Sequence, residues 1–176
     1  MKIHIISLAT ALSVLMILAT TTNINYNAVA QNQNTSQTKQ FYASLTNEGV
    51  IPPVVPNTNA TGSATLTLLG DGNTMSYTIS GSNVGNVKEI ALKYYTGQVP
   101  PPVILLFHYA VNEGLLTQGT GTIEGNFTTT DFLKQFKGKT MSDLVNAINN
   151  GNIYVEISTV DLPTGEIGGK VESQPQ

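Results

Sequence analysis

Cysteine is absent from this 176-residue chain, which removes disulfides, thiolate nucleophiles and sulfur metal ligands together. Arginine is absent as well. The 8 cations are all lysines, scattered among 11 carboxylates for a formal net charge of −3, so no basic patch exists to neutralise phosphates or anionic lipid heads. That argues against nucleic-acid binding. Histidine is scarce, with only His4 and His108, and a zinc or copper site built on several imidazoles has nothing to draw on. Charged residues make up 11% of the chain, well below the roughly 25% of an average globular protein. Thr, Asn, Gly and Ser fill the gap and predict a neutral polar surface of the kind found on exported β-proteins.

The N-terminal residues carry an address. Lys2 precedes an apolar stretch over residues 3–19, interrupted by His4, Ser7, Thr10 and Ser13, in the pattern of a signal peptide. Ala28-Val29-Ala30 before Gln31 fits the small-x-small cleavage rule, and a cut near Ala19 is the alternative. The other reading of residues 1–30 is an uncleaved anchor, though the stretch falls short of the ~20 residues a spanning helix prefers. Residues 31–40 (QNQNTSQTKQ) read as a disordered polar tether, because they hold too little apolar surface to order themselves. One domain is expected over residues 41–171, followed by a frayed tail at 172–176.

Within that domain the dominant period is two. Ala64-Thr65-Leu66-Thr67-Leu68 and Met75-Ser76-Tyr77-Thr78-Ile79 alternate apolar side chains with hydroxyls, the pattern of strands with one packed and one wet face. Gly70-Asp71-Gly72-Asn73 between them suits a tight reversal, so the pair reads as a β-hairpin. Further strands are expected over 41–46, 87–95, 103–109, 121–127, 153–159 and 167–172. Pro52-Pro53 and Pro100-Pro101-Pro102 cannot donate ladder hydrogen bonds and belong in loops or at strand starts. Over residues 130–150 the spacing turns helical, with Phe132, Leu133 and Phe136 followed by Met141, Leu144, Val145 and Ile148. Two short helices are expected there, the first capped by Thr130, the second by a Thr140/Asp143 capping box and ended at Gly151; their apolar faces should close one end of the core. The fold class is therefore all-β: an immunoglobulin-like or Greek-key sandwich or barrel of about eight strands, with two short helices inserted before the last two strands.

Several pieces recur in order and together resemble the CHRD family, first named for repeats in the secreted protein chordin. Phe41-Tyr42-Ala43-Ser44-Leu45, Asn47-Glu48 and Val50-Ile51-Pro52-Pro53 are similar to its opening strand and turn, and Thr61-Gly62-Ser63-Ala64 to its next strand entry. Asp131-Phe132-Leu133, the linker to Asn150-Gly151, Tyr154-Val155 and Gly165-Glu166-Ile167 are similar to its second half. The resemblance implies an immunoglobulin-like β-structure without enzymatic activity or cofactor. This chain departs from the family pattern where many members carry His-x-His, having Ala91-Leu92-Lys93. It departs again at Glu156 and Ser158, where the family strand has Asn and His, and at Gly168, where the family turn has Arg.

Catalytic chemistry is sparse. No G-x-S-x-G elbow is present, and Glu156 and Glu166 are the carboxylates that adjacent strands could bring face to face, although separate surface positions are the plainer reading. Glu166 is expected to start a strand and accept backbone N–H bonds. Asp71, Asp161 and Glu166 offer oxygens to calcium only outside any EF-hand spacing, and turn chemistry accounts for them. His108, inside Ile104-Leu105-Leu106-Phe107-His108-Tyr109, reads as a half-buried strand residue. Sequons stand at Asn34, Asn59 and Asn126 and would carry glycans in a glycosylating host. Tyr94 and Tyr95, with Pro100 and Pro101, form a candidate interaction surface.

These observations lead to an exported, extracellular or cell-surface module that works without cofactor through an unidentified protein or glycan partner, with a membrane involved only through an uncleaved N-terminal segment. The alternative is an exported small-ligand or metal-binding protein with a cleft near Lys93, Ser158 and Glu166. A carboxylate-based hydrolase is the weaker third reading.

Overall fold

The computed structural model describes residues 38–51, 57–109 and 119–174. The expected signal segment, the sequon at Asn34, Pro52-Pro53 and most of the expected tether lie outside the described residues. Among the described residues, nine strands form two antiparallel sheets: β1 Lys39–Leu45, β2 Thr61–Leu68, β3 Thr74–Val84, β4 Val87–Tyr94, β5 Val103–Tyr109, β6 Gly119–Thr128, β7 Ile153–Thr159, β8 Ile167–Lys170 and β9 Glu172–Ser173. One sheet has the order β6-β3-β2-β1-β9, the other β5-β4-β7-β8. The fold is an all-β sandwich, as the period-two segments predict.

The core lies between the sheets. Phe41, Leu45, Leu66, Met75 and Ile79 from the five-stranded sheet meet Ile90, Leu92, Ile104, Val155, Ile157 and Ile167 from the four-stranded one, all essentially free of solvent. Each contributes roughly 1.5–3 kcal/mol of burial before chain entropy is set against it. A continuous row of rings fills one end: Tyr77 against Phe107 (centroids 4.7 Å apart), Phe107 against Phe127 (6.0 Å), then Phe132 (6.3 Å), Phe136 (5.7 Å) and Tyr94 (5.1 Å).

The sheets are also tied along one edge. Thr46 and Gly168 exchange two backbone hydrogen bonds of 2.9 Å, although Thr46 follows β1 of one sheet and Gly168 lies in β8 of the other. Val171, buried in the core, then carries the chain from β8 across to β9, which pairs with β1. This crossing replaces the single strand expected over 167–172 and makes residues 172 and 173 a ninth strand where a frayed tail is expected. At the other end β1 begins at Lys39, two residues inside the expected tether.

The hairpin between β2 and β3 forms as its sequence predicts. Asp71 Oδ1 accepts the N–H groups of Asn73 and Thr74, both at 2.9 Å, its Oδ2 accepts the Thr74 hydroxyl at 2.6 Å, and Gly72 takes φ 68°. These bonds hold the Asp71 carboxyl below its usual pKa, and they occupy the carboxylate that was a calcium candidate.

The helical segment needs correction. A single α-helix, α1 Met141–Asn149, forms, with the expected capping box: the Asp143 N–H donates to Thr140 Oγ1 (3.1 Å) and the Thr140 N–H to Asp143 Oδ2 (2.8 Å). Gly151 follows it at φ 72°. The first expected helix is instead two 3-10 turns, Thr129–Asp131 and Lys134–Phe136. Thr128, rather than Thr130, caps the first turn together with Asp131. Between the turns the Leu133 N–H donates to Ile104 in β5 (2.8 Å), so the sheet edge captures the bond that would propagate a helix. Phe132 and Phe136 still bury, which places the segment over the end of the core.

Candidate functional site

β4 and β7 pair with Ala91 opposite Glu156 and Lys93 opposite Tyr154. Since Ile90, Leu92, Val155 and Ile157 point into the core, Ala91, Lys93, Glu156 and Ser158 project from the other side of the four-stranded sheet. That side is covered. Lys93, Glu156, Ser158 and Glu166 are all buried, as are Ala91 and Gly168. Described parts of the β1–β2 connection lie over them: Gly49 against Gly168, Val50 against Gly165, and Thr58 on Glu166. β7 is thus enclosed on both faces, unlike β2 and β3.

The cluster is closed by its own bonds. The Lys93 ammonium pairs with Glu156 Oε1, and the Ser158 hydroxyl donates to the same oxygen at 3.4 Å. Glu166 accepts the Thr58 hydroxyl on Oε1 (2.8 Å) and the Gly85 N–H on Oε2 (3.0 Å), the backbone acceptance its position after the Pro163-Thr164-Gly165 turn predicts. Gly165 has φ 126°, and a Cβ there would lie 2.8 Å from the Glu156 carboxyl carbon, so only glycine lets the turn close over the pair. Burial pushes the Glu156 pKa up, while Lys93 and then Ser158 pull against it.

Lys93 and Ser158 therefore meet on Glu156, while Glu166 bonds separately to Thr58 and Gly85, so the expected cleft is replaced by two filled knots, and Glu156 and Glu166 are buried rather than spread over the surface. Among the described residues, no buried side-chain nitrogen or oxygen lacks a partner, and no group of three His, Cys, Asp or Glu stands ready for a metal ion. His108 is half-buried on β5.

The proline-tyrosine region is divided. Pro100 is exposed, but Pro101 is buried, so it cannot belong to an interaction surface. Tyr95 is half-buried and meets Tyr154 edge-on (6.1 Å, 90°). Tyr94 is half-buried too, with its ring edge-on to Phe136 at 65°. Its other neighbours form a groove of about 370 Å³ against α1, rimmed by Gln135, Asn146, Asn150 and Asn152. Sequence reasoning missed those amides, although the density of Asn through 146–152 was the available signal.

A second surface is the outer face of the five-stranded sheet. Register aligns Ser63 with Ser80 and Thr122, Thr65 with Thr78 and Glu124, and Thr67 with Ser76 and Asn126. Side chains on such a face stand about 4.8 Å apart across strands and about 6.8 Å along them, which gives a regular lattice of hydroxyls. Glu124 is the one ionisable group these rows hold on β2, β3 and β6; on β1 and β9 the row of Thr65 continues to Tyr42 and Glu172. The sequon residues Asn59 and Asn126 are exposed, Asn126 on this face.

Among the described residues, no helix is long and apolar enough to cross a membrane. A family model described as CHRD domain matches residues 41–171. Neither a curated protein nor a solved structure matches the chain.

Proposed function

From the premise that the chain belongs to the CHRD domain family, we propose that it is an exported, non-catalytic module that binds a protein or glycan at the cell exterior. The observation that carries this reading is the outer face of β2, β3 and β6, a lattice of neutral hydroxyls whose aligned rows hold one charge, Glu124, with Glu172 of β9 further along the same sheet face. Such a face offers donors and acceptors without the cost of stripping water from ions, which suits a neutral polar partner. The buried polar side chains support the same reading, since Lys93 and Ser158 both bond to Glu156, and Glu166 is engaged by the Thr58 hydroxyl and the Gly85 N–H. An apolar N-terminal segment behind Lys2 supports export. In a glycosylating host, Asn59 and Asn126 would be modified.

The test is saturable binding of the labelled, purified protein to intact producing cells. Thr78→Arg with Thr122→Arg places two cations on exposed positions of this face, where the fold tolerates them, and should weaken binding by about tenfold or more. Equal binding by the variant would remove the face from the mechanism, and no saturable binding by the wild type would remove the module reading.

A further inference from the structure

The groove beside Tyr94 has a chemistry distinct from the hydroxyl lattice. Its floor is the ring of Tyr94, held edge-on by Phe136, which Phe132 supports in turn at 87°. A floor supported this way is preorganised, so a ligand laid on it loses little side-chain freedom. Around it stand the amides of Gln135, Asn146, Asn150 and Asn152. Each amide carries two N–H donors and a carbonyl acceptor, and none of these side chains hydrogen-bonds to another described residue.

We propose that this groove is a binding site for one neutral pyranose unit of a glycan. A pyranose presents a flat face of C–H groups and a rim of hydroxyls, each both donor and acceptor. The aromatic floor matches the first and the ring of amides the second. The volume of about 370 Å³ lies at the small end of ligand sites, which run from ~300 to ~1,000 Å³. Two charged groups reach the groove, Lys139 and Asp143, with opposite signs, so the site has no bias towards a polyanion. Asp143 Oδ2 is engaged by the Thr140 N–H and hydroxyl, both at 2.8 Å, and its Oδ1 is left for a sugar hydroxyl. The inference rests on the glycan side of the proposed function, but on a separate surface.

The experiment is an NMR titration of the whole protein with methyl pyranosides of glucose, galactose, mannose and N-acetylglucosamine, reading the side-chain NH2 signals of the four amides. One of these sugars should shift them saturably, with a dissociation constant on the order of 1 mM for a single ring. Asn146→Ala with Asn150→Ala, both exposed, should weaken that binding by about tenfold while leaving the backbone spectrum folded. Tyr94→Leu should abolish it. No shift at these amides with any sugar, or equal affinity in the double variant, overturns the site, as would shifts produced there by peptides and not by sugars. Cell binding measured on the same double variant separates the two readings, since its persistence alongside a silent groove leaves the module reading intact.

Discussion

Among the described residues, the ammonium of Lys93 has a single carboxylate partner, and it is buried, so its place in the protein depends on Glu156. Lys93→Met should lower stability by about 3–5 kcal/mol, because it strands a buried carboxylate. Adding Glu156→Leu should restore most of that loss, since two apolar side chains of similar volume need no partner. Urea unfolding of the two variants checks both, and a double variant no better than the single would mean that Ser158 and the Gly165 turn need the charge. The sequence made Lys93, Ser158 and Glu166 visible as polar positions on strands but not their burial, which depends on the β1–β2 connection lying over the sheet. Glu166 was legible further, because the Pro163-Thr164-Gly165 turn fixes what its backbone neighbourhood must offer.

At the scale of elements, the β2–β3 hairpin concentrates its stabilising bonds on Asp71. Its carboxyl titrates below the ordinary 3.8 in the folded protein, so its contribution is present above that value and is lost as the pH falls through the lower folded value. Asp71→Ala should therefore melt at a lower temperature than the wild type near pH 7, with the gap closing below pH 3.8. A gap independent of pH would assign the effect to packing. This hairpin and the capping box of α1 were legible because their bonding partners lie within three residues. The 130–137 segment was not, because Leu133 donates its N–H to Ile104 on a strand far away in sequence, and no local spacing reports that competition.

For the whole molecule, the number and alternation of strands were legible while their order was not: the pairing of β1 with β9 and the bridge from Thr46 to Gly168 bring opposite ends of the domain together. The edge where the sheets meet admits no side chain at Gly169, whose Cβ would fall 2.0 Å from the Ser44 carbonyl oxygen. Gly169→Ala should cost roughly 1–3 kcal/mol through forced backbone movement, measured by thermal unfolding, and a neutral result would show that the edge can open without loss. The same edge also sets an order in time. The four-stranded sheet has all its strands once Lys170 is made, whereas the five-stranded sheet lacks its edge strand until Glu172 and Ser173 follow. A domain built this way gains its last pairing, between residues at opposite ends of the fold, only after every other strand exists, so the closing step is a long-range one.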